Sequence, residues 1–324
     1  MIVKKLQLAP RILGGALAFL VLLAQTTASA EVLGEQHLHA EAHHKPCIAL
    51  VLGGGGLRGV SEIPIIEALQ KEHIPIDLVV GTSIGSIIGG LYCAGVPIEE
   101  IKRRSVTGFI SNYFSAPIAI QLLKVPFDFL TRKNPEGLYK GTKLSKALDK
   151  RVSHKDISQL KPKFAAVATD LVLGQPNIIT SGDLGVALQA SSAVPIFRAP
   201  VANGDKLLVD GGVMSNLPVR EAKQLGADFV IAVDIDEDLL RIDPKVFRKK
   251  IGSISSRIIG LILNRSDEIQ MQQADFCIHP DVTGIALLSS SKADGKLALD
   301  AGQTAIDKAM PDLKAKLREI GAIE

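Results

Sequence analysis

Gly81-Thr82-Ser83-Ile84-Gly85 has the form G-x-S-x-G, a serine between two glycines on a tight turn from strand to helix. The glycines leave room for strained backbone at the elbow. Before it, Ile76, Leu78, Val79 and Val80 read as a buried strand. After it, Ile84, Ile87, Ile88, Leu91 and Tyr92 recur at helical spacing, while Gly85, Ser86, Gly89 and Gly90 keep one side small. Ser83 is therefore expected at the mouth of a strand-elbow-helix unit. Alone, a pattern with three fixed positions is common. A glycine run one βα unit upstream and an Asp-Gly-Gly turn downstream give it weight.

Upstream, Ile48–Leu52 is a continuous apolar run of the kind found in parallel sheets covered on both faces. It leads into Gly53-Gly54-Gly55-Gly56-Leu57-Arg58-Gly59 and a helix expected to end near His73. Four adjacent glycines are costly to order, so exposed backbone must be needed here. Two chemistries would use it: a phosphate cradle at a helix N-terminus, or an oxyanion hole facing a tetrahedral intermediate. Gly54-x-Gly56-x-x-Gly59 fits the dinucleotide pattern, which also asks for an acid at the end of the second strand. Asp77 lies near the start of that strand, and the elbow occupies its end. No Gly-Lys-Ser/Thr follows to make a P-loop. The oxyanion reading fits better, because the loop and Ser83 both fall at carboxyl ends of neighbouring parallel strands, where open α/β sheets build their sites.

From Lys102 to about Asp156 the periodicity is poor and Pro117, Pro126 and Pro135 interrupt it. This stretch, with Phe109, Tyr113, Phe114, Phe127 and Phe129, reads as a lid or insertion (102–156), or as short helices covering the sheet. Strands are expected again at 164–169 and 177–180, then a helix around Leu184–Ser191 stopped by Pro195. A short strand at 206–209 ends in Asp210-Gly211-Gly212, a turn that leaves the carboxylate projecting. Phe229–Val233 reads as another strand, and 252–273 and 293–320 as helices. The fold class is thus α/β: three layers, a mostly parallel central sheet with helices on both faces, in one domain over 47–324.

Residues 1–30 stand apart. Lys4, Lys5 and Arg11 precede an apolar core at 12–24 and Ala28-Ser29-Ala30, the pattern of an export signal cleaved before Glu31. That core is short of the roughly 20 residues a spanning helix needs; an uncleaved anchor is the alternative. The tract 31–46, with His37, His39, His43 and His44, reads as a flexible leader, since no Cys or carboxylate cluster completes a metal site. The chain is thus expected to be exported, periplasmic or secreted. Loss of residues 1–30 removes three of 37 basic side chains and none of 34 acidic ones, which balances the charge. That argues against nucleic acid as partner. Residues 241–265 carry seven Lys or Arg against Asp243 alone, a face for anionic headgroups or simply a solvated one. Cys47, Cys93 and Cys277 are an odd set for an exported chain. Cys93 reads as a small core residue, and nothing requires a Cys47 to Cys277 bridge.

Gly54-Gly55-Gly56-x-Arg58-Gly59, Gly81-x-Ser83-x-Gly85 and Asp210-Gly211-Gly212 follow one another, joined by Ala190-Ser191-Ser192-Ala193-Val194-Pro195 and the run 209–218. In order and spacing this set resembles the patatin-like phospholipase family, above all its exported bacterial members, over most of residues 47–310. The resemblance implies a serine lipid acyl hydrolase acting on phospholipids or lysophospholipids, with peripheral membrane contact and without metal or cofactor. Ser83 would be the nucleophile, Asp210 the base, and the amides around Gly54, Gly55 and Gly56 the oxyanion hole. Arg58 matches the family's basic position, bracing the loop or meeting a phosphate.

The chemistry agrees, since a serine hydroxyl needs an adjacent base. His279, the only histidine after Asp210, would complete the order Ser, Asp, His, but it precedes Pro280 at a strand end with no helper motif. An aspartate acting alone must lie within hydrogen-bond reach of Ser83, and partial desolvation eases its task. Two departures stand out. Glu62 and Pro64 replace the His and Gly often seen there. Because a proline beyond the first helical turn costs about 3 kcal/mol, the helix is expected to start at Ser61 as N-cap. Pro195-Ile196-Phe197-Arg198 also lacks the glycine common after that proline. The competing readings are a soluble short-chain esterase or thioesterase, a dinucleotide-binding protein using the glycine loop, and a membrane-associated binding protein with a silent dyad.

Overall fold

The computed structural model describes residues 45–106, 154–195, 198–237, 243–245, 247, 253–287 and 289–324. The expected signal, most of the leader, most of the 102–156 insertion with its aromatics, and Ile196 and Phe197 lie outside the described residues.

The chain opens with β1 (Ile48–Leu52), a 3-10 turn at Gly56–Ser61 and α1 (Glu62–Lys71), then β2 (Leu78–Thr82), α2 (Ile84–Cys93) and α3 (Ile98–Val106). It continues with β3 (Lys163–Asp170), β4 (Gln175–Ile179), α4 (Leu184–Ser191), β5 (Val201–Asn203), β6 (Lys206–Asp210) and α5 (Val219–Gln224). β7 (Phe229–Val233), α6 (Ser253–Met271), β8 (Phe276–Ile278) and α7 (Lys292–Glu319) complete it. The strands form one sheet in the order β5-β6-β3-β2-β1-β7-β8, with β4 also paired to β3. The run β3-β2-β1-β7-β8 is parallel; β4 and β6 run antiparallel to β3.

The continuous apolar character of β1 follows from its central place. Alternate residues of a strand point to opposite faces. Ile48, Leu50 and Leu52 join a core that includes Ile63 and Ile66 of α1, Ile87 and Ile88 of α2, and Ile306 and Leu313 of α7. Ala49 and Val51 face the other way, onto Leu217, Val219 and Ala222. Both faces are therefore dry, and the three-layer expectation is met.

β3 sets the geometry of the site. Its residues 163–167 pair with β2 and 168–170 with β6, while β4 pairs with 166–170. Since β4 overlaps both neighbours in register, it must take the opposite edge. β2 and β6 thus share one edge of β3 and meet end to end, Thr82 opposite Val167 and Asp210 opposite Ala168. The nucleophile elbow and the aspartate turn, 127 residues apart, leave the sheet at adjacent rungs.

One local expectation needs correcting. Helix α1 starts at Glu62 with Pro64 in its first turn, where no helical bond is lost. Ser61, however, is no N-cap: its backbone is already helical, its hydroxyl donates to Arg58 O at 2.7 Å, and the 3-10 turn runs straight into the helix. The helix ends at Lys71, near His73 as expected, and His73 takes a left-handed conformation at φ 53°. β5, α3 and α5 have no clear signature in the sequence. The three cysteines are free thiols, with Cys93 buried as expected.

Candidate active site

At Ser83 the chain reverses from strand to helix with φ 53° and ψ −118°. Such backbone costs a serine of order 1–3 kcal/mol and persists only where its surroundings enforce it. The enforcement is visible. Ser83 N donates to Ser191 Oγ at 3.0 Å, and that hydroxyl donates onward to Val167 O at 2.6 Å. Ser86 Oγ donates to Ser83 O at 2.6 Å, and Thr82 Oγ1 to Ser215 O at 2.8 Å. The two glycines of the pattern are needed for contact: a Cβ on Gly81 would lie 2.6 Å from Gly85 C, and one on Gly85 would lie 2.5 Å from Leu52 O.

Ser83 Oγ donates to Asp210 Oδ2 at 2.7 Å. Asp210 Oδ1 accepts from Gly212 N at 2.8 Å, the bond the Asp-Gly-Gly turn provides. Gly211 lets the turn close, because a Cβ there would lie 2.3 Å from Val167 O. Both partners are nearly buried, Ser83 at 5 % and Asp210 at 6 % exposure. Burial pushes the Asp210 carboxyl up to about 6, against the opposing pull of the Ser83 and Gly212 donors. An acceptor whose proton affinity sits just below neutrality can take a hydroxyl proton and return it. His279 Nδ1 meets Asp234 Oδ2 at 2.9 Å, while the two oxygens of Asp210 bond Ser83 Oγ and Gly212 N among the described residues.

The glycine loop crosses in front of the elbow. A Cβ on Gly54 would be 3.3 Å from Ser83 Cβ and 2.4 Å from Asn216 Oδ1. Gly54 is clamped on both sides, its N–H donating to Asn216 O at 3.1 Å and its carbonyl accepting from Asn216 Nδ2 at 3.0 Å. Its amide is therefore occupied, whereas those of Gly55 and Gly56 donate to no acceptor among the described residues. Gly56 has φ +58°, and a Cβ there would strike Leu287 O at 1.9 Å. Arg58 is 5 % exposed; its Nε donates to Ile285 O at 2.6 Å and its guanidinium meets Glu237 Oε2 at 2.7 Å. It has the geometry of a brace between this loop and the segment before α7.

Behind the loop lies a polar layer not foreseen from the sequence. Asn216 Nδ2 also donates to Asp267 Oδ2 at 2.6 Å, and Leu217 N to Asp267 Oδ1 at 3.0 Å, so α6 anchors the loop through one side chain. Asp234, Asp236 and Asp267 are all buried, with one oxygen of each within 4.8 Å of the others. Burial and mutual repulsion raise Asp236 to about 7 and hold Asp267 above the usual carboxylate range as well. Glu62 is fully buried, its oxygens without a well-formed hydrogen bond among the described residues, and desolvation, opposed only by the Gly53 amide, holds it well above that range too. Ser191 lies inside a motif quoted from the sequence, but its contact with Ser83 N joins residues 108 apart. No local pattern reveals such a bond.

A family model described as patatin-like phospholipase matches residues 50–223. Lysophospholipase NTE1 of Debaryomyces hansenii is 32% identical over 190 residues, 58% of this chain and 12% of that protein. Patatin-like phospholipase domain-containing protein 6 of Homo sapiens is 32% identical over 190 residues, 58% of this chain and 13% of that protein. The match thus spans a small part of each relative. VipD from Legionella pneumophila aligns with a TM-score of 0.44 at 14% identity, covering 82% of this chain and 67% of that one, a likeness too loose to argue from. Since the family model spans more than half of the sequence, the chain belongs to the patatin-like phospholipase family.

Proposed function

We propose that this chain is a serine lipid acyl hydrolase that cleaves fatty acyl esters of phospholipids or lysophospholipids with Ser83 as nucleophile and Asp210 as base. The observation that carries the reading is the 2.7 Å bond from Ser83 Oγ to Asp210 Oδ2 at a strained elbow. Relatives named as lysophospholipases support the choice of lipid ester.

In this reading Asp210 takes the hydroxyl proton as Ser83 Oγ attacks the ester carbonyl. Negative charge collects on the carbonyl oxygen, where the Gly55 and Gly56 amides face it; Gly54, committed to Asn216, positions the loop. Collapse of the intermediate expels the alcohol, which leaves with the proton held by Asp210. Asp210 then activates water against the acyl-Ser83 ester, and fatty acid is released. Arg58 serves as the loop's brace. The proposal extends to export, with residues 1–30 removed; an expressed protein that retains Met1 would overturn that part.

The test is fatty acid release from phosphatidylcholine and lysophosphatidylcholine in EDTA by the wild type, Ser83→Ala and Asp210→Ala, with fluorophosphonate labelling of Ser83 alongside. Release in the wild type alone, with labelling lost in Ser83→Ala, is the expected result. Full activity in Asp210→Ala, with loss on replacing His279, would sink the dyad. Turnover of a soluble short ester without lipid release would move the substrate class.

A further inference from the structure

Helix α6 wears its apolar side outward. Six of the fifteen large apolar side chains exposed among the described residues belong to it, and Ile254, Ile258, Leu261 and Ile262 share one face at helical spacing. Its inward side is polar instead, with Asp267 and Gln270 buried against Asn216, Leu217 and Arg220. The direction of α6 is fixed at two levels. Asp267 accepts from Asn216, which itself clamps Gly54 at the carboxyl end of β1, and Asp275, just past the helix, accepts from Val230 N at the amino end of β7. Residues 253–266 therefore run on past the site end of the sheet, about 20 Å of helix at 1.5 Å per residue.

Two further apolar features stand at that same end. The tip of the β3-β4 hairpin, Leu171-Val172-Leu173, follows the carboxyl end of β3 and is 50 to 62 % exposed. Val213 and Met214, immediately after the Asp210 turn, are 49 and 43 % exposed. Non-adjacent elements thus present aliphatic side chains on the rim where Ser83 and Asp210 leave the sheet. An exposed apolar patch next to a site marks what the site meets.

We infer that this rim docks on the surface of an anionic phospholipid bilayer. The inference rests on the lipid hydrolase reading and names the physical form in which the substrate is met. Charge complementarity favours a bilayer over another apolar partner: α6 carries Arg257 and Arg265 beside its aliphatic face, Arg265 also pairing with Glu268 at 3.2 Å, and in sequence the ten positions 241–250 before it count five Lys or Arg against Asp243 alone. Aliphatic residues entering the acyl boundary with bases at headgroup level are the combination that holds interfacial helices. Among the described residues no helix is long and apolar enough to cross a membrane.

The experiment is co-sedimentation of the whole chain carrying Ser83→Ala with vesicles of phosphatidylcholine, with and without phosphatidylglycerol. Two paired changes are added separately: Val172→Asp with Leu173→Asp, and Ile258→Glu with Ile262→Glu. The starting protein is expected to bind phosphatidylglycerol vesicles preferentially, and each pair to weaken that binding about tenfold. With Ser83 restored, each pair should lower fatty acid release from vesicles to match, while hydrolysis of soluble p-nitrophenyl butyrate stays unchanged. Vesicle binding indifferent to both pairs, or absent throughout, overturns the docking surface. So does a dimer in solution that the Ile258 and Ile262 changes convert to monomer, which assigns the face to a second copy. Vesicle binding as expected, with no ester of any kind hydrolysed by the Ser83 protein, leaves docking standing and removes the hydrolase reading alone.

Discussion

Replacing Asp210 with Asn should abolish turnover and stabilise the fold at neutral pH. Burial raises the Asp210 carboxyl from the ordinary 3.8 to about 6 in the folded chain. A carboxyl whose folded value exceeds its unfolded one adds stability below the unfolded value and loses it as pH rises through the folded one. The gap of about 2 units, at 1.36 kcal/mol each, makes the ionised side chain cost up to about 3 kcal/mol at pH about 8. Asparagine escapes that cost and keeps both contacts, since its oxygen can accept from Gly212 N while its amide donates to Ser83 Oγ. Urea denaturation of both proteins at pH about 8 and about 4 checks it, the variant's advantage shrinking at the lower pH to about 0.5 kcal/mol. A variant no more stable than wild type at the higher pH, or equally favoured at both, would refute the reasoning that Asp210 is held ionised against desolvation.

Three further outcomes follow from the same geometry. Because the base must be ionised, kcat/KM on a soluble ester should rise tenfold per pH unit and level off above about 6; a profile flat through that range would exclude Asp210 as base. Gly54→Ala sets a Cβ 2.4 Å from Asn216 Oδ1 and 3.3 Å from Ser83 Cβ, so kcat/KM should fall about 100-fold; undiminished turnover would show that the loop does not face the reaction. Asn216→Ala leaves the buried Asp267 Oδ2 without its donor and Gly54 O without its clamp, costing about 1–3 kcal/mol in denaturation and lowering kcat more than it raises KM. A pure KM effect would place Asn216 in substrate binding instead.

Much of the fold was legible because it is locally encoded. The apolar runs of β1, β2 and β7 and the spacing of Ile84, Ile87, Ile88 and Leu91 each follow from one element and its two faces. The turns that carry Ser83 and Asp210 were legible for a different reason: glycines at 81, 85 and 211 are demanded by backbone contacts under 3 Å, so they mark both turns in the sequence, while the pairing of the two was implied by the family resemblance. The polar layer left no such mark. Asp267 and Asn216 are unremarkable residues 51 apart, and their bond exists only once α6 is docked. α6 itself reverses the usual cue, its Ile and Leu turned outward and its Asp267 inward, so periodicity alone would bury the wrong face. Ser61 misled in a similar way, since cap preference says nothing of a 3-10 turn running into the helix from Gly56.

The meeting of β2 and β6 along one edge of β3 makes that strand a ruler. Ser83 and Asp210 are spaced by the peptide rungs at Val167 and Ala168, not by the length of chain that joins them. Insertions or deletions between positions 106 and 154 can therefore accumulate without retuning the distance between nucleophile and base, provided β3 still enters the sheet in register. A one-residue slip of β6 would be far more damaging, because it would turn Asp210 to the opposite face of the sheet. Change in length is cheap in this architecture, and change in register is not.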